Sequence, residues 1–203
     1  MNGSYIPQID FMYSDKLTPQ AKAPLFAKSD VFGRQINLAD YKGKKVLLGF
    51  FRHAGCPFCN MRVHTLTKVH EELKQKGLEM IFFFESPEKI IQRSTFHQEV
   101  SPIPIISDPE KEIYNAYGIE ESGWKSAVGH MTGFVQNFIN AKRNGLPVHP
   151  MAAGESISTI PAEFLLDENL NVKELHYSQK LTDRMSISKI RDFVEKSESA
   201  ALA

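Results

Sequence analysis

Apolar and polar residues alternate along this chain in blocks that predict strands and helices in turn. Four short apolar runs, bounded by glycine, proline or charged residues, have the length and composition of buried strands: residues 46–51, 80–84, 102–107 and 164–166. A fifth strand is predicted over 172–177. It follows the turn residues Asp167, Glu168 and Asn169, and so forms a hairpin with the run before it.

Helical periodicity fills the segments between these strands. Apolar residues recur three to five positions apart over 58–73, and the lysines and glycine of 74–77 are typical of a helix C-terminus. Residues 108–110, Asp-Pro-Glu, predict the start of a second helix that ends near Tyr117. Apolar positions in 187–194 predict a closing amphipathic helix. Alternating strands and helices predict an α/β fold with a mixed sheet.

Three segments stand outside this alternation. Residues 1–22 are polar and rich in turn-forming residues, and we interpret them as a lead-in to a single domain over 23–198. Residues 30–37 predict two short strand pieces around a turn. Residues 120–158 contain the only tryptophan and a helical pattern. This insertion is either a helix packed on the body of the domain or a lid or dimer surface near the chemistry.

Composition narrows the class of protein. The chain has 203 residues, of which 42% are apolar and 24% charged, as expected for one globular domain. Its 24 Lys and Arg balance 24 Asp and Glu, which disfavours nucleic acid and acidic membrane surfaces as partners. No apolar run is long enough for a membrane span, and no secretory signal is apparent. We therefore expect a cytoplasmic protein.

The chain has two cysteines, Cys56 and Cys59, between the first buried strand and the long helix. A Cys-x-x-Cys pair at a strand-to-helix junction is typical of a redox pair. The free N–H groups and dipole of the helix N-terminus favour a thiolate at Cys56. Cys59 follows one turn later on the same face, and Pro57 suits the first helical turn. We predict that Cys56 attacks, that Cys59 resolves, and that no cofactor is needed because the sulfurs carry the two electrons.

Other interpretations of the cysteine pair remain open. Half of a zinc site would need two more ligands, and His53 and His64 lie near in sequence. The position of His64 along the helix makes convergence on both sulfurs unfavourable, so we predict no metal. His53 is either a supporting imidazolium or proton relay for Cys56, or a loop histidine without a chemical role.

Motifs spread over residues 23–195 resemble the peroxiredoxin (AhpC/TSA) branch of the thioredoxin superfamily. Four segments carry the resemblance, in the family's order: Ala23-Pro24-Leu25-Phe26, Tyr41-Lys42-Gly43-Lys44, Pro104-Ile105-Ile106-Ser107-Asp108-Pro109 and Thr159-Ile160-Pro161. The resemblance implies a thioredoxin-like fold with a mixed central sheet, an N-terminal strand extension and a helical insertion at about 120–158. It also implies that the Ile160–Pro161 bond is cis, that Pro161 lies against the cysteines, and that Ile160 offers backbone groups to a thiol substrate.

The chain departs from the peroxiredoxin pattern around its first cysteine and near Pro161. The family's proline and Thr/Ser positions hold Gly49 and His53, and Ala162 and Glu163 stand where its later arginine is expected. These departures leave both a hydroperoxide and a protein disulfide open as the oxidant.

Three charged residues are candidates to support the cysteines. Arg52 or Arg62 either substitutes for the missing arginine or is simply solvated or ion-paired. Glu163 is either a buried base for Cys59 or a carboxylate on the surface of a strand, and we favour the surface.

We therefore expect a thiol-disulfide oxidoreductase, with antioxidant peroxidase activity as one form of it. Cys56 would attack a disulfide or a hydroperoxide, and a thioredoxin- or glutathione-type thiol would supply electrons. The Cys-Pro-Phe-Cys motif also resembles that of glutaredoxins, which makes a glutaredoxin-like reductase the alternative enzyme. A redox sensor or binding module acting through 120–158 and a metal-transfer protein are the remaining classes. A second copy of the chain is a possible partner.

Overall fold

A computed structural model of the chain describes residues 15–93, 98, 100, 102–119, 139, 141–145 and 159–201. Seven strands, four α-helices and one short 3-10 helix have both ends within these ranges. In chain order they are β1 (Ala27–Ser29), β2 (Gln35–Asn37), the 3-10 helix (Leu38–Tyr41), β3 (Lys45–Phe51), α1 (Pro57–Gln75), β4 (Leu78–Phe84), α2 (Glu88–Gln92), β5 (Ile105–Ser107), α3 (Glu112–Ala116), β6 (Ala162–Leu166), β7 (Val172–Tyr177) and α4 (Ile187–Ala201).

Five of the strands form one mixed sheet in the order β5-β4-β3-β6-β7. The β3–β4 and β4–β5 pairs are parallel, whereas β6 runs antiparallel to both β3 and β7. β1 and β2 form a separate antiparallel hairpin at the N-terminal side. The predicted mixed central sheet and N-terminal strand pair are therefore both present.

The helix after β5 begins later than the sequence predicts. It starts at Glu112, because the carboxylate of Asp108 accepts hydrogen bonds from the backbone N–H groups of Glu112, Ile113 and Tyr114 at 3.2, 2.8 and 3.2 Å. Asp108 thus caps the helix from four residues upstream, and the prediction that residues 108–110 start the helix is wrong, because Pro109 and Glu110 precede it. β5 likewise occupies only the last three residues of the strand predicted over 102–107.

An apolar layer covers each face of the sheet. Successive strand residues point to opposite faces, so Leu47 and Phe51 face α1 and α4, whereas Leu48 and Phe50 face α3. The α3 layer is rich in aromatic rings, and Phe50 stacks on Phe83 with 4.4 Å between ring centroids. Both cysteines belong to the α1 layer.

Gly49 stands in the middle of β3, at the position where the peroxiredoxin pattern has proline. A Cβ atom at Gly49 would lie 3.1 Å from the ring of Phe51 and 3.2 Å from that of Phe82. A larger residue at this position would therefore require these two rings to shift by a few tenths of an ångström.

The segment before β1 lies against β7. The N–H of Gln20 donates to the C=O of Val172 at 2.7 Å, and that of Leu17 donates to the hydroxyl of Tyr177 at 2.8 Å. Residues 1–14 are outside the described ranges, and the domain boundary at 22/23 stays a prediction. No helix in the described ranges has the length and apolar character needed to cross a bilayer.

The predicted insertion at 120–158 falls almost entirely outside the described residues. Ile139 and residues 141–145 are its described part, and they include helical positions. Ala141 is fully buried in the same apolar layer as the cysteines. The alternatives of a packed helix, a lid and a dimer surface stay open.

Candidate active site

The turn between β3 and α1 places the two cysteines at the N-terminus of the long helix. Cys56 is the N-cap residue and Pro57 the first helical residue, as predicted. The N–H of Cys56 donates to the C=O of His53 at 3.0 Å, and the amide of Asn60 donates to the C=O of Ala54 at 2.7 Å. These bonds close the turn before the helix starts, so the position of Cys56 is fixed from both sides.

Both sulfurs are enclosed by the protein. Cys56 is 1% exposed and Cys59 is 0% exposed. The Sγ of Cys59 accepts a hydrogen bond from the N–H of Arg52 at 3.4 Å. The two thiols are unpaired by any disulfide and interact with each other through hydrogen bonds.

The two cysteines have opposite acidities. Burial raises the pKa of Cys56, but the thiol and backbone N–H of Cys59 donate to its sulfur, and together with the nearby arginine charges they lower its pKa to about 6. Burial raises the pKa of Cys59 well above its ordinary value, and the neighbouring Cys56 raises it further. At pH 7 the arrangement therefore favours a thiolate at Cys56 and a thiol at Cys59.

Two arginines supply positive charge to the cysteines. Arg52, directly after β3, is 6% exposed, and its Nε is buried without a hydrogen-bond partner in the part of the chain that the structure describes. Arg184, in the loop between β7 and α4, places its Nη2 atom 4.0 Å from the Sγ of Cys59. Both charges favour thiolates, so the anionic site has two cationic neighbours.

Arg62 and Glu163 form a buried ion pair beneath the first turns of α1. The guanidinium of Arg62 donates from Nε and Nη2 to the two carboxylate oxygens of Glu163 at 2.6 and 2.8 Å. Their side chains are 7% and 1% exposed. The expectation that Glu163 lies on a strand surface is wrong, because β6 is an inner strand and this face is covered by α1. Arg62 is ion-paired, one of the two predicted alternatives.

The loop before β6 approaches the same end of the sheet. Ala162 lies opposite Phe50 in the β3–β6 register, so Pro161 and Ile160 precede β6 where β3 leads into the cysteine turn. The expected cis Ile160–Pro161 bond is not found, since no peptide bond in the described ranges is cis. A trans bond is the default for X-Pro, and here the C=O of Pro161 already accepts the N–H of Ser178 at 3.0 Å as β6 begins.

The structure also shows how His53 is placed and whether the described side chains could form a metal site. His53 is 7% exposed, and its C=O helps to hold the cysteine turn. Among the described residues, no three His, Cys, Asp or Glu side chains are grouped so that they could hold a metal ion. The supporting roles of His53, Pro57 and Ile160 stay predictions.

The structure adds residues that the sequence does not point to. Glu85, fully buried just after β4, accepts the hydroxyl of Thr159 at 2.6 Å, and the Nζ of Lys111 lies 3.5 Å from it. Its N–H donates to the C=O of Arg52 at 3.4 Å, next to the cysteine turn. Arg184 lies 125 positions from Cys59. No local motif marks either residue, because only the fold brings them to the cysteines.

Fold and site together define a class of protein. A Cys-x-x-Cys pair begins the helix after the central strand of a mixed sheet, and its first cysteine has a lowered pKa. Such a pair exchanges two electrons through a disulfide. The fold is thioredoxin-like, and the site has the arrangement that thiol-disulfide chemistry requires.

The chain belongs to the AhpC/TSA family, whose sequence model matches residues 19–175. It is 32% identical over 104 residues to a Mycobacterium tuberculosis protein that is named as a peroxiredoxin; the match covers 51% of this chain and 65% of that protein. It is 28% identical over 109 residues to the thiol-disulfide oxidoreductase ResA of Bacillus thuringiensis, covering 54% of this chain and 62% of ResA. The chain thus spans just under two thirds of the length of these relatives.

A solved structure supports the fold independently. The peroxidoxin BcpB of Mycobacterium tuberculosis superimposes with a TM-score of 0.59 over 92% of this chain and 98% of its own, at 14% sequence identity. At that identity the similarity concerns the fold alone. The expected thioredoxin-like, peroxiredoxin-like fold is confirmed.

Proposed function

We propose that this protein is a two-cysteine thiol peroxidase, in which Cys56 reduces a hydroperoxide and Cys59 resolves the product. The observation that carries the proposal is the setting of Cys56: 1% exposed, with a pKa lowered to about 6, and close to the buried guanidinium of Arg52. Lowering the pKa from about 8.5 to about 6 raises the thiolate fraction at pH 7 roughly thirty-fold.

The reaction proceeds in two chemical steps before reduction. The Cys56 thiolate attacks the terminal oxygen of ROOH, the O–O bond breaks, and Cys56 becomes a sulfenic acid while RO⁻ leaves and takes up a proton. Cys59 then attacks the Cys56 sulfur, water leaves, and the Cys56–Cys59 disulfide forms. Arg52 is suited to assist the first step, because its unpartnered Nε offers a donor for the oxygen that becomes negative.

Burial favours a small oxidant over a protein disulfide. A hydroperoxide needs only a narrow opening to reach a sulfur, whereas a disulfide in another protein needs the sulfur at the surface. Disulfide exchange is the second candidate, supported by the Cys-Pro-Phe-Cys turn and by the similarity to ResA. The family match over residues 19–175 favours the thiol peroxidase and the disulfide-exchange enzyme over a compact glutaredoxin-like reductase.

The remaining parts of the proposal follow from the chemistry of the pair. A thioredoxin- or glutathione-type thiol returns the two electrons to the disulfide, which requires the Cys56 sulfur to be more accessible in the oxidised protein than in the reduced one, and no bound cofactor takes part. The cytoplasm stays our proposed compartment, because its thiol pools keep such a pair cycling. A second copy of the chain stays a candidate partner.

The test follows thiol loss after the reduced protein is mixed with stoichiometric hydroperoxide in a stopped-flow instrument. Wild type should lose both thiols rapidly, Cys56→Ser should lose none at that rate, and Cys59→Ser should stop at a sulfenic acid that dimedone traps. Loss no faster than that of a free thiol would exclude the peroxidase. Rapid reduction of a protein disulfide by the same sample would then establish the second candidate.

A further inference from the structure

Arg184 approaches the cysteines from a part of the chain that the proposed chemistry has not used. Its Nη2 atom lies 4.0 Å from the Sγ of Cys59, although its loop follows the last strand of the sheet. The same side chain lines a surface cleft of about 230 Å³, together with Phe58, Met61 and Leu181. Arg184 therefore lies between the enclosed sulfur and a cleft that is open to solvent.

The position of Arg184 is held through its own side chain and through the residue that follows it. Its Nη1 atom donates to the hydroxyl of Ser178 at 3.2 Å. The next residue, Met185, is held by the buried ion pair: its N–H donates to Glu163 at 3.0 Å, and its C=O accepts from Arg62 at 2.8 Å. The buried pair thus ties the loop of Arg184 to α1 and β6.

The guanidinium of Arg184 is placed beside the resolving cysteine, because its Nη2 atom lies 4.0 Å from the Sγ of Cys59. Burial raises the pKa of Cys59, and the positive charge of Arg184 opposes that rise. A thiolate formed at Cys59 would therefore have a cation next to it.

We propose that Arg184 is a catalytic residue of the reductive half-reaction, which stabilises Cys59 as the leaving group when the disulfide is reduced. Arg62 and Glu163 are the positioning residues that hold it there. The inference rests on the proposed function, since it requires a Cys56–Cys59 disulfide that is formed and reduced in turn.

The step balances as a thiol-disulfide exchange. A donor thiolate attacks the Sγ of Cys56, a donor–Cys56 disulfide forms, and the Cys56–Cys59 bond breaks with its electron pair on Cys59. The Cys59 thiolate, stabilised by the guanidinium of Arg184, then takes up a proton from solvent. A second donor thiolate attacks the donor sulfur, which releases the donor as a disulfide and Cys56 as a thiolate. A leaving thiol departs faster when its pKa is lower, so a buried Cys59 without Arg184 would leave slowly.

The experiment measures reduction of a disulfide that is formed chemically. The full chain is oxidised with diamide and reduced with dithiothreitol at pH 7, and the rate is compared for wild type, Arg184→Met, Arg184→Lys and Arg184→Gln. Arg191→Met is the control, because Arg191 belongs to the neighbouring helix α4 and pairs with Glu72 on the surface. We expect Arg184→Met and Arg184→Gln to be about tenfold slower, the effect of roughly two pKa units at a Brønsted coefficient of about 0.5, and Arg184→Lys and Arg191→Met to stay close to wild type.

A second readout separates a charge effect from a structural one. In a Cys56→Ser background, the alkylation of Cys59 is followed against pH, and Arg184→Gln should move its midpoint to higher pH while the urea unfolding midpoint stays unchanged. A rate within twofold of wild type in Arg184→Gln, or an equally slow Arg184→Lys, would overturn the proposal. Diamide and dithiothreitol bypass the hydroperoxide, so failure of the proposed peroxidase does not affect this outcome.

Discussion

Each end of helix α1 carries an arginine–glutamate ion pair, one buried and the other exposed. Near its N-terminus, Arg62 meets Glu163 through two hydrogen bonds, with side chains 7% and 1% exposed. Near its C-terminus, Glu72 meets Arg191 through two hydrogen bonds of 2.9 and 2.8 Å, with both side chains 41% exposed. Water screens the second pair and has no access to the first.

This difference explains why the chemistry lies at one end of the helix. Burial lowers the effective dielectric constant, so charges around Cys56 act on one another strongly enough to separate the acidities of two neighbouring thiols. At the exposed end, similar charges fix surface geometry and little else. The same two residue types therefore support the cysteine site where they are buried and form only a solvated ion pair where they are exposed.

The largest effect is expected from removing one partner of the buried pair. Glu163→Gln leaves the charge of Arg62 uncompensated and should lower the free energy of unfolding by about 3–5 kcal/mol, measured by urea denaturation. Replacing both partners, as Arg62→Met with Glu163→Leu, should recover much of that loss while still slowing disulfide reduction, because Met185 is then no longer held. An unchanged urea midpoint in Glu163→Gln would remove the proposed difference between the two ends.

The acidity of Cys56 gives the next prediction. The alkylation rate of Cys56 in wild type should rise as pH increases through about 6 and then level off, because the thiolate is the reactive form and Cys59 stays protonated in this range. Arg52→Met should move this midpoint to higher pH, while Arg191→Met should leave it unchanged. A midpoint near that of a free thiol in wild type would contradict the prediction.

The same pKa makes stability depend on pH. Because the folded pKa of Cys56, about 6, is below the unfolded value of about 8.5, the thiolate stabilises the fold fully above pH 8.5. This contribution is lost as pH falls from about 8.5 to about 6. Urea unfolding of wild type and Cys56→Ser over this range should show the difference between them shrinking towards low pH.

A smaller effect is expected from a hydrogen bond next to the cysteine turn. The hydroxyl of Tyr114 donates to the C=O of Phe51, where β3 ends. Tyr114→Phe leaves this buried acceptor unsatisfied and should lower the free energy of unfolding by about 1–3 kcal/mol. Thr65→Ala is the matched control, because the hydroxyl of Thr65 donates to the C=O of Met61 on the exposed side of α1. Equal losses in both variants would argue against a special role for burial.

The smallest effect belongs to the surface pair. Glu72→Gln should leave the urea midpoint unchanged within error at physiological salt, because water hydrates the exposed Arg191 guanidinium once the ion pair is removed. Repeating the measurement at low salt is the sharper form of the test, since screening is then weaker. A loss as large as that of Glu163→Gln would show that the two ends of α1 do not differ as described.

Much of the fold was predictable from local patterns. The apolar runs predicted β3, β4, β6 and β7 within a few residues, since a buried strand needs a continuous apolar segment. The spacing of apolar residues and the lysine-glycine ending predicted α1, whose observed bounds are Pro57–Gln75. The start of α3 was missed, because a carboxylate four residues upstream caps it from outside the helix.

The site was predictable only where it is local in sequence. The order Cys56-Pro57-Phe58-Cys59 at a strand-to-helix junction predicted a redox pair by itself, because the helix N-terminus that favours a thiolate is encoded in the same few residues. Burial was decided by tertiary structure, which placed Glu163 under α1 rather than at the surface.

The charges that act on the cysteines also depend on tertiary structure alone, because they come from residues distant in sequence. Arg184 reaches Cys59 across 125 positions, and Glu85 reaches Thr159 across 74. The sequence determines which thiols are present and where their helix begins. Which charges surround them, and how strongly those charges act, depends on the sheet order and on the exclusion of water, and neither is encoded in any single segment.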